Sequence, residues 1–316
     1  MAESKLAVYA AIGANVAIAV AKFVGAAATG SSAMLSEGIH SVVDTGNGLL
    51  LLVGLHRAGL PADPTHPFGH GKELYFWSLI VAVLIFGVGG GVSIYEGILH
   101  LMSPPRLEDP GWSYAILGGS FLFEGASLAI AVRQFLGAIA GAPFWKSLRD
   151  SKDPSLYTVM AEDSAALAGL AAAGLGIWAS HSLGMPSLDA VASIVIGLIL
   201  CAVSTLLIVQ SRKLLVGEAV APETAKRIRA IAQAESSVYR AGWPMTMHLG
   251  PDDVLLALDV EFCQGADAEA VMRAIDRIEQ AVRAQVPEVG RIYIESRRVE
   301  RAEAAPVGAV PGSAAR

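Results

Sequence analysis

The sequence predicts a membrane-embedded, all-α domain of six transmembrane helices followed by a small cytoplasmic α+β domain. Three observations carry that reading. Only 16% of the 316 residues are charged, against roughly 25% in soluble domains. The deficit is local: the first two-thirds is poor in charge, whereas residues 217–316 have the composition of ordinary soluble protein. Six stretches approach or exceed the roughly 20 apolar residues that a bilayer crossing needs. The expected division is 1–214 for the membrane domain, 215–300 for the soluble domain and 301–316 for a disordered tail rich in Ala, Pro and Gly.

The apolar stretches run over Leu6–Ala28, Ala33–Leu55, Leu74–Leu99, Trp112–Phe135, Leu156–Ser180 and Leu188–Gln210. Turn chemistry separates them: Thr29-Gly30-Ser31, the Pro61–Gly71 segment, Pro104-Pro105, Pro143 and Gly184-Met185-Pro186. The first loop is short and uncharged, so spans one and two form a tight hairpin. Lys5, Arg57, Lys72, Arg133, Lys146, Arg149, Lys152, Arg212 and Lys213 fall on one side, and Arg106 alone on the other. That asymmetry places both termini and the soluble domain in the cytoplasm, and the expected location is a bacterial inner membrane. The first apolar segment is long and lacks a small-residue cleavage site, so it reads as a span and not as a signal peptide. Gly87, Gly89, Gly90 and Gly91 permit close helix approach, within one chain or across a dimer.

A net charge of −6 without a basic stripe argues against a nucleic-acid partner. Cys201 and Cys263 suggest neither a disulfide framework nor a thiolate metal site. The soluble domain reads as helix, strand, strand, helix, strand. Pro222–Ala234 starts with proline in its first turn, and Val254–Phe262 is rich in strand formers. Asp267–Gln285 puts Val271, Ile275, Ile278 and Val282 on one face, and Arg291–Val299 alternates as a strand.

The chemistry lies in charges where lipid should forbid them. His40 and Asp44 are four residues apart within the second span, on one face of a helix, and can close on one cation. A mid-bilayer charge persists mainly where it faces a partner, a water cavity or an ion. Span five adds Glu162 and Asp163. Adjacent residues point about 100° apart, so one can ligate while the other pairs with a polar neighbour or carries a proton. Asn15 and Asn47 read as helix-bridging or supporting groups, and Glu37 as a gate or a solvated charge. Glu124 reads as a proton carrier or a partner of Lys22. Lys22, Glu96 and Asp189 lie near span ends and are expected to snorkel. A second cluster, Asp63, His66 and His70, occupies a short loop at spacings three and four and is suited to a divalent ion. His56, His100, His181 and His248 read as solvated or interfacial.

Six spans, a second span reading SEGIHSVVDTGNGL, the loop PADPTHPFGHGKE and a C-terminal α+β domain together resemble the cation diffusion facilitator family, and its zinc-transporter-9-like branch in particular. The resemblance covers about Leu6–Val299. It implies a homodimeric antiporter that expels Zn²⁺ or a related cation in exchange for protons. By the resemblance His40 and Asp44 form the second-span half of the transport site and Asp163 belongs to the fifth-span half. The family's usual histidine four residues earlier is here Val159, and Glu162 is the natural substitute. Asp63, His66 and His70 match a loop metal site of some members. Lys72 matches an inter-subunit charge interlock, with Glu218 as a possible partner. The C-terminal domain is similar to the family's metallochaperone-like, ferredoxin-like dimerisation module. Its histidine-rich site is largely lost, with Asp259 and Ile294-Glu295 at positions where ligands are common.

The expected function is therefore divalent cation/proton antiport by alternating access, with the metal as substrate and no prosthetic group. His40 and Glu124 are the expected proton-coupling groups. One imidazole among carboxylates makes a harder site than two histidines, so Mn²⁺, Fe²⁺ and Co²⁺ compete with Zn²⁺. A membrane metalloenzyme is disfavoured because neither His-Glu-x-x-His nor Gly-x-Ser-x-Gly occurs. A non-transporting metal sensor or scaffold is the alternative.

Overall fold

The computed structural model describes residues 2–103, 111–139 and 143–297. The turn Pro104-Pro105, Arg106, Val299 and the expected tail lie outside the described residues.

The first two helices are α1 (Ala2–Thr29) and α2 (Ser32–Ala58), joined at Gly30, whose φ of 66° is the left-handed geometry of the tight turn. They are followed by α3 (Glu73–Met102), α4 (Gly111–Ala138), the short α5 (Phe144–Asp150), α6 (Pro154–Leu183) and α7 (Ser187–Val216). Among the described residues, five helices, α2, α3, α4, α6 and α7, are long and apolar enough to cross a membrane; the described apolar part of α1 runs over Asn15–Thr29. Large apolar side chains point outward along these helices, with Leu122, Leu175 and Leu206 among the most exposed. In water such a surface would be an association liability; in lipid it is the ordinary solvent face. The protein is an integral membrane protein.

Inside the bundle the helices approach through small residues. A side chain at Gly197 would meet the Gly90 carbonyl at 2.7 Å, so α3 and α7 touch backbone to backbone. Gly89 and Gly90 thus pack within the chain, while Gly87 faces open space. The glycine run lies in a seven-residue π-helical stretch, Ile85–Gly91, inside α3, the kind of wide turn that proteins keep at functional positions.

Asp189 does not snorkel. It is buried, and its carboxylate accepts from Ser31 Oγ at 2.7 Å and from the Ser32 backbone N–H at 2.6 Å. An acid on α7 thereby satisfies the open N–H groups at the start of α2.

The chain divides into two compact units, Met1–Glu218 with Leu249–Pro251, and the remainder from Ala219. The second contains α8 (Pro222–Gln233), β1 (Val238–Ala241), β2 (Met245–Gly250) up to His248, β3 (Asp253–Phe262), α9 (Ala268–Gln285) and β4 (Val289–Arg297). Three strands, not two, separate the helices; the Gly-Trp-Pro break at 242–244 divides what composition alone runs together. β3 is central, antiparallel to β1 and parallel to β4. Its alternate residues Val254, Leu256, Leu258, Val260 and Phe262 are buried beneath Ile228 of α8 and Ile278 and Val282 of α9. Asp267 caps α9 through the Ala270 N–H at 2.7 Å.

Candidate metal centre

Four helices surround a cavity of about 150 Å³ in the membrane domain. α1 contributes Asn15 and Ile18; α2 contributes Ser41, Asp44 and Gly48; α4 contributes Phe123, Glu124 and Ser127; α6 contributes Val159, Glu162 and Asp163. The spacing explains the convergence. Positions 41, 44 and 48 on α2, and 159, 162 and 163 on α6, each make one stripe at helical period. Glu162 and Asp163 therefore both line the cavity.

Each acid of α6 has its own support. Asn47 Nδ2 on α2 donates to Glu162 Oε1 at 2.8 Å. Ser127 Oγ on α4 donates to Asp163 Oδ2 at 2.8 Å. Such donors fix the carboxylates and leave their other oxygens for a cation. Asn47 was legible as a supporting group; Ser127 was not, because a serine in an apolar helix commonly turns back on its own backbone, as Ser78 and Ser164 do here.

His40 is buried just behind Asp44, its Nε2 at 3.3 Å from Asp44 Oδ2. Neither ring nitrogen has a hydrogen-bond partner, and Asp44 Oδ1 has none. Buried polar atoms without partners are rare, and here three sit together on ligand-type side chains. The four expected transport residues do not all close to ligand distance of one another: among the described residues, the group of His, Cys, Asp or Glu that does so is Asp63, His66 and His70.

Two expectations about nearby charges change. Lys22 neither snorkels nor pairs with Glu124. It is wholly buried and pairs with Glu37 at 3.0 Å. Glu37 is likewise buried and not a solvated charge. Glu124 lies on the cavity wall.

The loop cluster is built differently. All three ligand atoms lie within 4.8 Å of one another. His70 Nε2 is 3.0 Å from Asp63 Oδ2, and the two imidazole rings are 4.2 Å apart. Asp63 Oδ1 accepts from the Thr65 hydroxyl at 2.6 Å and from the His66 N–H at 2.7 Å. The Thr65 hydroxyl, then His70 and the His66 N–H, hold the Asp63 carboxyl well below the usual carboxylate range. It offers a charged oxygen at any ordinary pH, and three such ligands leave a fourth position for water.

Of the remaining expected residues, Glu218 pairs with Lys152 at 3.1 Å within the chain, and Lys72 Nζ lies 3.5 Å from the Leu215 carbonyl. Asp259 and Glu295 are register neighbours across β3 and β4.

Residues 8–216 match the model of the cation efflux transmembrane domain. The chain belongs to the cation diffusion facilitator family. Within that family, a mouse protein named proton-coupled zinc antiporter SLC30A9, mitochondrial, is 35% identical over 243 residues, 76% of this chain and 43% of the relative. Metal tolerance protein C4 of Arabidopsis thaliana is 33% identical over 265 residues, 82% of this chain and 57% of the relative. The magnetosome protein MamM of Paramagnetospirillum magneticum is 26% identical over 160 residues, 51% of this chain and 46% of the relative. This family member thus stands with the zinc-transporter-9-like branch and spans about half the length of these relatives. Its family is one of metal-cation efflux transporters, not of enzymes.

Proposed function

We propose that this chain is a divalent cation/proton antiporter that exports Zn²⁺, or Mn²⁺, Fe²⁺ or Co²⁺, from the cytoplasm by alternating access. The observation that carries the reading is the acid-lined cavity, where Asp44, Glu162 and Asp163 face one space and His40 lies behind Asp44, its Nε2 3.3 Å from the carboxylate and neither ring nitrogen in a hydrogen bond. In the proposed cycle these groups bind the ion when deprotonated, and protons arriving from the far side displace it. His40 and Glu124 carry the exchanged protons. Val159 occupies the wall where a histidine would face the ion, and Glu162 supplies the substitute ligand.

The loop residues Asp63, His66 and His70 form a second, peripheral cation site. Six crossings with both termini in the cytoplasm, a bacterial inner membrane, and the 1–214, 215–300 and 301–316 division complete the proposed architecture. The C-terminal domain is a ferredoxin-like dimerisation module, and Lys72 and Glu218 interlock two copies, Glu218 exchanging its partner Lys152 on assembly.

The test is metal uptake into proteoliposomes under an imposed pH gradient, with each of the four ions, for the wild type and Asp44→Ala. Gradient-driven flux that the substitution abolishes is expected. No flux with any ion, with reconstitution and orientation verified, would sink the antiport reading and favour a sensor or scaffold.

A further inference from the structure

On the side of the cavity nearer the α1–α2 turn, three helical stripes run into one buried ion pair. On α1 the lining positions Asn15 and Ile18 continue one turn on to Lys22; on α2 Asp44 and Ser41 continue one turn back to Glu37. On α6 the stripe of Glu162 continues two turns to Gly169. There Lys22 Nζ meets Glu37 Oε2 at 3.0 Å and also donates to Ser41 Oγ at 2.8 Å. Ser41 itself lines the cavity, so the ammonium lies one hydroxyl away from it.

Glu37 uses only half of its carboxylate. Oε1 is buried without a hydrogen-bond partner, and it lies where any side chain at Gly169 would collide with it. The helix pair does not need this charge for contact, because Phe23 packs on Gly38 and Met34 lies against Gly25. A buried ion pair is weak evidence of stability, since apolar residues of similar volume often hold as well or better. A free, fully buried carboxylate oxygen one turn from His40 is instead a ligand atom.

We infer that Glu37 is a second cation station on the path between the cavity and the α1–α2 end of the bundle, and that Lys22 is the resident cation that occupies it when no divalent metal is there. A metal ion leaving the cavity displaces the ammonium from Glu37, and Lys22 keeps its contact with Ser41. When the ion moves on, Lys22 returns and closes the path with its own charge. The inference rests on the antiport reading and adds to it a place where the ion pauses.

The test is the double variant Lys22→Met/Glu37→Leu in the full chain, in a His66→Ala/His70→Ala background so that loop binding does not mask the cavity. Zinc affinity is measured in detergent and gradient-driven zinc flux in proteoliposomes. The station predicts an unfolding temperature and a zinc affinity near those of the background, with turnover lower by about tenfold or more. Turnover at the background rate would overturn it and leave the pair as a helix staple. If the double variant does not fold, Gly169→Ala decides. It crowds Glu37 Oε1 without touching a cavity wall, and undiminished turnover there, or failure of this variant to fold as well, rejects the station. A background protein that carries no zinc at all rejects the antiport reading itself, which is a separate result.

Discussion

Asp63, His66 and His70 lie within eight positions of one another and already touch, while the acids of the cavity come from separate helices and stand around a space. The loop is tied together locally: a carboxylate that accepts from Thr65 and His66 of its own turn is fixed by local chain geometry. The cavity acids are fixed one at a time, Glu162 by Asn47 and Asp163 by Ser127, and among the described residues no hydrogen bond joins the two. A preformed cluster suits holding an ion. Acids that stand apart around a space suit an ion that must also be released, because letting it go breaks no contact among the acids themselves.

Four measurements would break or sharpen that contrast. The largest effect is expected for Asp163→Ala, which should lower gradient-driven flux by at least about 100-fold, since even supporting residues at metal sites cost 10–100-fold. Flux within a few-fold of wild type would remove Asp163 from the site. Next, Ser127→Ala should weaken zinc binding to the cavity by about tenfold while leaving the fold intact; competition with a chromophoric chelator reads this. An unchanged affinity would mean the α4 hydroxyl does not orient Asp163.

Third, His70→Ala should remove one bound zinc per chain in calorimetry yet leave gradient-driven flux close to wild type. Loss of flux equal to that of Asp163→Ala would make the loop part of the path and erase the distinction. The smallest effect concerns acid. Asp63 has a depressed folded value, so its ionised contacts persist above the ordinary aspartate range and are lost only as pH falls well below it. Thr65→Ala removes the largest contribution, and an NMR titration of the Asp63 carboxyl should move upward, toward the ordinary range. No movement would place the cause elsewhere.

Much of this was legible from residues alone. A run of about 20 apolar residues has few other places to go, so the helix positions follow from composition, and the i, i+4 relation of His40 and Asp44 follows from helical period. The loop cluster was legible because it is local. What stayed hidden was long-range. Lys22 lies seven residues from the end of α1, and end charges ordinarily reach for the interface; only the neighbouring α2 shows that its partner is Glu37. Asp189 reads as a span-end acid until α2 is placed against it, where it becomes that helix's cap. The third strand was lost because a proline-containing break interrupts an otherwise continuous β pattern.

The Asp189 contact also says how α2 can move. Its first turn is tied to α7 by hydrogen bonds to Ser31, Ser32 and the backbone, so a tilt of α2 would swing about that end. At 1.5 Å per residue, Asp44 sits about 18 Å out along the arm and His40 about 12 Å. A 10° swing then carries Asp44 by about 3 Å and His40 by about 2 Å. Metal–ligand bonds are only about 2 Å long, so in the proposed antiport cycle a rotation of this size would be enough to make or break coordination at Asp44. In that proposed cycle the pinned end would turn a slight rocking of one helix into a full step for the ion.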